Sequence, residues 1–363
     1  MAGKLLRRRT ILGTAAAAAG ALALPRGLRA QERLKAAWMY VGPVGDYGWS
    51  YQHDVGRQAV ASALGEQVET SFVESVPEGP DAERVLRQLA SQGNQLIFAT
   101  SFGFMDSVIR VARQFPQVKF EHATGFKRAD NVAIYNARFY EGRAVIGTIA
   151  GHLSKTGVTG YIASFPIPEV VMGINAYTLA AQKVRPDMRV KVVWVNSWYD
   201  PGKEADAAKV LLDQGADVIS QHTDSPAPLQ VAQERGAHGF GQASDMRQFA
   251  PEAQLTAIVD DWNDYYIRRA RAVIDGSWQS EDIWWGLKEG MVGIAPYGPA
   301  VTPEAAAAAD EVKRGIIEGT LHPFTGPITD QKGNLVVAEG EHATDEEMLQ
   351  MSWWVPGVEG QLS

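Results

Sequence analysis

Cysteine is absent from all 363 residues of the sequence. This absence excludes disulfide bonds, thiolate metal sites and catalysis by a thiol. It also argues against the lipid anchor of exported lipoproteins, because that anchor attaches to a cysteine at the new N-terminus. We therefore expect a protein that is not anchored to a membrane.

Long apolar runs are also missing, except near the N-terminus. There, the basic residues 7–9 precede the apolar run 11–24, and Ala30 provides a small residue at the expected cleavage position. This pattern predicts a secretory signal peptide over residues 1–30, since the run is too short for a membrane span of about 20 residues. The order of residues 8–12 favours the twin-arginine export route, and an ordinary Sec signal is the alternative.

Basic residues are fewer than acidic ones, with 34 lysines and arginines against 42 aspartates and glutamates. The formal net charge is −8, and removal of the signal peptide with its six basic residues takes it to −14. An acidic surface argues against nucleic acids and anionic membranes as partners. A small-molecule partner is compatible with this charge.

Familiar catalytic motifs are missing as well. The sequence has no Gly-x-Ser-x-Gly, no phosphate-binding Gly-x-x-x-x-Gly-Lys-Ser/Thr loop and no His-Glu-x-x-His. The seven histidines are scattered, so neither a zinc site nor another cofactor is expected. His222 and Asp224 lie close in sequence, but such neighbours do not form a catalytic triad by spacing. Beside the export signal, these absences favour a binding protein over an enzyme.

The sequence does contain a regular alternation of apolar strand patterns and helical patterns. A first series runs from Leu34 to Ala123, and a second begins at Tyr140 and reaches about Gly239. Such alternation predicts a parallel sheet with helices on both faces. Two series predict an α/β protein of two doubly wound lobes, which suits a mature chain of about 330 residues.

Three segments are expected to cross between the lobes, namely 131–138, 255–261 and 284–296. The predicted bounds are 31–135 with 260–283 for the N-terminal lobe, 136–259 with 284–325 for the C-terminal lobe, and 326–363 for a tail without a predicted placement.

The loops that follow strands are the candidate site, because ligands of open α/β sheets bind beyond the carboxyl ends of the strands. In the first lobe, Trp49 and Tyr51 follow the first strand and Asp106 follows the third. The rings offer flat faces to a ligand, and Asp106 offers an acceptor for a ligand N–H. The structural alternatives are that the rings cap the core and that Asp106 complements a helix dipole.

The corresponding loops of the second lobe provide the candidates Phe165, Trp198, His222, Asp224 and Asp245. Trp198 mirrors Trp49, and a planar ligand between the two would gain roughly 1–3 kcal/mol per stacked face. Asp224 and Asp245 offer acceptors, although each is equally typical of a helix cap or a turn.

Five segments carry a family resemblance: GDYGWS at 45–50, FATSFGFMD at 98–106, FYEGRAVIGTIAG at 139–151, VNSWYDPGK at 195–203 and GLKEGMV at 286–292. Together they resemble the basic membrane protein (BMP) family of substrate-binding proteins, which includes purine-nucleoside receptors of the PnrA type. The resemblance covers roughly residues 34–327.

The resemblance implies a type I periplasmic-binding-protein fold with two lobes and three crossing segments. It also implies import through an ABC transporter, whose permease in the inner membrane is then a partner, and often a purine held between two aromatic rings. Carried over by position, the stacking pair falls on Trp49 and Trp198, and the base-binding aspartate falls on Asp106. Asp245 corresponds to a residue that serves ribose hydroxyls in nucleoside receptors.

The sequence departs from the nucleoside-binding pattern at the second crossing. Nucleoside-binding members carry a lysine where Asp260 stands, and tryptophan replaces the usual phenylalanine at both stacking positions. We therefore expect a free purine base, adenine-like, bound by a monomer in the periplasm. A nucleoside-binding protein of the same system, a sensor for a membrane receptor and an exported nucleoside-acting enzyme are the alternatives.

Overall fold

The structure is a computed structural model that describes residues 33–362. The predicted signal peptide, residues 1–30, lies outside the described residues. Within residues 33–362, no helix is long and apolar enough to cross a membrane.

Strands and helices alternate along the chain, as the apolar pattern predicts. The first series is β1 (Leu34–Met39), α1 (Gly48–Leu64), β2 (Val68–Val73), α2 (Pro80–Ser91), β3 (Leu96–Ala99), α3 (Met105–Ala112), β4 (Lys119–Ala123) and β5 (Val132–Ala137). The second series is α4 (Phe139–Leu153), β6 (Val158–Ala163), α5 (Pro168–Val184), β7 (Arg189–Trp194), α6 (Pro201–Asp213), β8 (Val218–His222), α7 (Ala227–Glu234), β9 (His238–Gly241) and β10 (Gln254–Asp260).

The remaining chain returns to both series and then forms the tail. Its elements are α8 (Asn263–Asp275), β11 (Asp282–Trp285), β12 (Val292–Ile294), α9 (Pro303–Glu318), β13 (Ile328–Thr329), β14 (Leu335–Val337), α10 (Asp345–Leu349) and β15 (Val358–Glu359).

Two separate sheets form the centres of two lobes. The first sheet has the order β11-β5-β4-β3-β1-β2, with every neighbouring pair parallel. The second has the order β12-β10-β9-β8-β6-β7-β15, in which β12 alone runs antiparallel to its neighbour. Central strands such as β3 and β6 are buried along their whole length, as expected where helices cover both faces of a parallel sheet. The α/β fold with two lobes is therefore confirmed.

The chain passes between the sheets three times: after β5, after β10 and after β11. Most of the apolar runs 131–138 and 255–261, expected to be crossings, forms the strands β5 and β10. These runs join the sheets because their apolar side chains are buried there. The crossings are therefore shorter than predicted, namely Arg138 after β5 and Asp261-Trp262 after β10.

The C-terminal tail adds to the second lobe. Strand β15 extends the second sheet by pairing with β7, and the indole of Trp354 stacks on Trp194 with ring centroids 6.2 Å apart. Asn175 of α5 donates from its side chain to the carbonyl oxygen of Trp353 at 2.8 Å. Helix α10 begins with a capping box between Thr344 and Glu347, which satisfies backbone N–H groups at the helix start.

Helix α8 is fixed to the first sheet by a buried carboxylate. Glu121 of β4 is fully buried and accepts hydrogen bonds of 2.6 Å from Tyr265, Arg269 and Trp278. Burial raises the pKa of Glu121, whereas the Arg269 guanidinium acts to lower it. The segment that leaves the second lobe is therefore held to the first by a compensated buried charge.

Candidate functional site

A cavity lies between the two lobes, at the loops that follow the strands of both sheets. Its empty volume, which includes space open to solvent, is about 400 Å³. The lining residues are Val41, Trp49, Ser101, Phe102 and Thr124 from the first lobe and Glu169, Trp198, His222, Asp224 and Gln242 from the second. This is the position at which two facing α/β sheets are expected to hold a ligand.

Trp49 forms an aromatic wall on the side of the first lobe. It stands in the first turn of α1, and its indole N–H donates to the carbonyl oxygen of Thr100 at 2.7 Å. His53 and Trp262 pack edge-on against its ring, with centroids 4.3 and 5.4 Å away. The indole is thus held in one orientation before any ligand arrives.

Trp198 provides an aromatic wall on the side of the second lobe. It lies in the loop after β7 and packs on Phe165 with ring centroids 5.1 Å apart. Its indole N–H donates to Glu78 of the first lobe at 3.2 Å. Because this hydrogen bond joins the two lobes, the position of the ring depends on their closure.

Further contacts close the lobes around the cavity. The backbone N–H of Gly48 donates to Ser244 Oγ at 2.7 Å, and that of Trp49 donates to Asp224 Oδ1 at 3.2 Å. Gly48 has a φ of +80°, and a Cβ there would lie 2.9 Å from the carbonyl oxygen of Asp224. Only glycine permits this approach of the two backbones without strain.

Acidic groups lie close together in the second lobe. Burial, with the nearby Glu204 carboxylate, raises the pKa of Asp224 to about 8. Burial, with Asp224 nearby, also holds the pKa of Asp260 well above its usual range. Neither carboxyl oxygen of Asp260 has a hydrogen-bond partner among the described residues, and neither has Glu169 Oε2. Burial of Asp224 and Asp260 this close together favours their protonated forms.

Neutral or positive groups complete this polar region. Arg143 is fully buried and donates to the carbonyl oxygen of Gln221 at 2.9 Å and to the side chain of Gln242. His222 Nε2 lies 3.5 Å from Glu169 Oε1, and burial lowers the pKa of this imidazole, so it is neutral near pH 7. The cavity thus combines aromatic walls with donors and acceptors whose hydrogen-bonding capacity is only partly used, which suits a planar heterocycle with polar edges.

Asp224→Asn is expected to stabilise the ligand-free protein at pH 8 and to have little effect at pH 4. The pKa of about 8 lies above the ordinary value of 3.8, so the unfolded chain loses this proton first as the pH rises. Wild-type stability therefore falls between about pH 4 and pH 8. Asparagine keeps an acceptor for the Trp49 N–H and does not ionise.

Urea unfolding at pH 4, 6 and 8 checks this expectation. Asp206→Asn is the matched control, since that side chain is 76% exposed and paired only at the surface. Parallel pH profiles for the wild type and Asp224→Asn would contradict the raised pKa.

Four of the eight predicted site residues line the cavity, and the other four do not. Trp49, Trp198, His222 and Asp224 line it. Phe165 packs behind Trp198 and lines a neighbouring open space of about 920 Å³.

Like Phe165, three further predicted residues do not line the cavity. The side chain of Asp106 is 61% exposed and forms an ion pair of 2.6 Å with Lys127. Asp245 accepts from the Arg247 backbone N–H and from the Gln254 side chain, and Tyr51 is half-buried within α1. Partners outside the cavity lining thus occupy both aspartates.

The sequence did not single out Phe102, Glu169 and Gln242, which also line the cavity. Glu169 follows Pro168 in the first turn of α5, where an acidic residue is typical of any helix start. Gln242 directly follows β9, and this position at a strand end was the available signal. Within residues 33–362, no group of three or more acidic or histidine side chains has a geometry suited to a metal ion.

Comparison with known proteins places these features in a family. The family described as "ABC transporter substrate-binding protein PnrA-like" matches residues 33–320. A purine-binding protein of Brucella abortus strain 2308 is 57% identical over 92% of this chain and 95% of its own. A Haloferax volcanii protein, provisionally named as an ABC transporter glucose-binding protein, is 37% identical over 91% of this chain and 82% of its own.

A solved structure shows the same fold. An ABC transporter solute-binding protein from Aeropyrum pernix K1 superposes with a TM-score of 0.70, covering 82% of this chain and 95% of its own at 20% identity. At this identity the likeness is one of fold.

Proposed function

Because the chain belongs to the family of PnrA-like ABC transporter substrate-binding proteins, we propose that it captures a free purine base, adenine-like, for an ABC importer. The observation that carries this proposal is the cavity between Trp49 and Trp198, which come from opposite lobes and line the same space. The 57% identity to a protein named as purine-binding supports it.

Lobe closure is the proposed mechanism of capture. In an open state the cavity faces solvent, and the ligand contacts residues of both lobes only when they close. The ligand therefore shifts the population towards the closed state by the difference in its affinity for the two states. The cross-lobe contacts of Gly48, Trp49 and Trp198 help to hold that state.

A base is favoured over a nucleoside by the surroundings of Asp260. This carboxyl is fully buried, lacks a hydrogen-bond partner among the described residues and lies near Arg143, Asp224 and Glu169. It stands where the resemblance leads one to expect a lysine that serves nucleoside binding.

The predicted export signal supports a periplasmic location for this capture, with the permease of the importer as the protein partner. We propose that the protein acts as a monomer. We also propose that it carries no lipid anchor, because the sequence has no cysteine. We further propose that the ligand is returned chemically unchanged. Recovery of intact ligand after prolonged incubation tests that point, and product formation would favour the enzyme alternative.

Calorimetry on the purified protein is expected to show adenine binding at least tenfold more tightly than adenosine. Glucose is the third probe, because a relative with 37% identity is named for glucose binding. Tighter binding of adenosine would overturn the preference for a base. Binding of glucose without either purine would remove the purine site and leave solute capture standing.

A further inference from the structure

A second cavity adjoins the proposed purine cavity. It has an empty volume of about 1,090 Å³ and shares three lining residues with the first, namely Phe102, Thr124 and Glu169. The side chains of these three residues are thus the border between the two spaces. We call the second cavity the annex.

The C-terminal tail forms one wall of the annex. Glu346 and Leu349 of α10 and the following Gln350 line it, opposite Phe126 and Asn136 of the first lobe. The family match ends at residue 320, so this wall comes from a part of the chain beyond the matched region.

The annex exposes large apolar side chains to solvent. Only five large apolar residues are exposed in the described part of the chain: Phe72, Phe126, Val210, Leu335 and Leu349. Two of them, Phe126 at 63% and Leu349 at 47% exposure, line the annex, and Ile167 and Pro168 add further apolar surface. These side chains lie in a concave space, so an apolar group of a ligand placed there would be removed from water against them.

The charges around the annex disfavour an anionic occupant. Glu169 and Glu346 both line it. Lys127 lies 6.0 Å from the centre of the Phe126 ring, but its ammonium is paired with Asp106 at 2.6 Å. A phosphate group would therefore meet two carboxylates and no unpaired cation among these neighbours.

We propose that the annex receives a neutral apolar substituent of a purine whose ring lies between Trp49 and Trp198. This extends the ligand class from free bases to bases that carry such a group, and it rests on the proposed function. The two cavities share Phe102, Thr124 and Glu169, so the proposal places the purine ring and its substituent on either side of these residues, where the apolar walls gain from removing the substituent from water.

Calorimetry with adenine and N6-benzyladenine tests the annex. The wild type is expected to bind N6-benzyladenine about tenfold more tightly than adenine, because the phenyl group is buried against apolar walls. Leu349→Ser and Phe126→Ser, on opposite walls, are each expected to bring this ratio close to one while adenine affinity stays the same. Because Phe126 lies outside the tail, the Phe126→Ser variant still tests the annex if Leu349→Ser disturbs the packing of the tail.

Leu335→Ser and Phe72→Ser are the matched controls, because both residues are exposed at 61% and 41% and lie outside the annex lining. They are expected to leave the ratio unchanged. If the wild type binds adenine but binds N6-benzyladenine at least 100-fold more weakly, the proposed role of the annex is overturned and the proposed function stands. A ratio unaffected by the Leu349 and Phe126 variants would overturn its location. Failure of both ligands to bind would overturn the proposed function itself.

Discussion

Trp198→Ala is expected to weaken adenine binding by roughly 5- to 150-fold while the protein stays folded. The range corresponds to the ~1–3 kcal/mol that one aromatic face contributes to a stacked base. The side chain is half-buried in a loop after β7 rather than in a lobe core, so its loss affects the cavity more than folding. Trp49 remains and keeps one face of the ligand covered.

Two further variants separate the causes of this loss. Trp198→Phe keeps an aromatic face but removes the indole N–H that donates to Glu78 across the lobes, so it should retain most of the affinity if stacking dominates. Trp353→Ala removes a half-buried indole outside the cavity lining and serves as the control. Calorimetry gives the three dissociation constants. Unchanged affinity in Trp198→Ala would remove the paired tryptophans from the binding scheme.

Arg269→Met is expected to lower the free energy of unfolding by about 3–5 kcal/mol, because it leaves the buried Glu121 carboxylate without its counter-charge. Arg269 is 1% exposed, and its Nε lies 2.6 Å from Glu121 Oε1. Tyr265 and Trp278 still donate to the carboxylate in the variant, but neither carries a positive charge.

Urea unfolding of the wild type and two variants measures this effect. Arg268→Met is the matched control, since the neighbouring Arg268 is 41% exposed and pairs with Glu281 at the surface, where such pairs contribute about 0–1 kcal/mol. Adding Glu121→Gln to Arg269→Met should recover part of the loss, since the unpaired charge is then gone. Equal small losses for Arg268→Met and Arg269→Met would show that burial of the pair is unimportant.

The fold could be predicted from sequence wherever local pattern decides it. Apolar runs such as Val158–Ala163 are short, strongly apolar and separated by helical spacing, so the parallel lobes were recognisable. The placement of the tail could not be predicted in this way, because β15 is two residues long and pairs with β7, about 170 positions earlier in the chain. No local pattern contains such a pairing.

The site was predictable to the extent that strand ends define it. Trp198 and Asp224 follow strands and line the cavity, as expected. Asp106 met the same criterion, yet it turns to Lys127, which lies 21 residues further along the chain. Sequence does not distinguish Glu169, because its position is that of an ordinary helix start. Whether such a residue lines the cavity depends on contacts with distant segments of the chain. The spacing of residues along one segment does not reveal these contacts.

The three crossings have a consequence for protein synthesis. The first sheet is complete only when β11, residues 282–285, has paired with β5, and α8 covers that lobe only after the whole second series has been made. A ribosome therefore releases most of the chain before the first lobe can close its core, and the unfinished lobe has to wait while the second takes shape. No truncation from either end yields the first lobe by itself, because the second series lies between β5 and α8 in the chain, so a first lobe meant for separate expression has to be joined from discontinuous pieces.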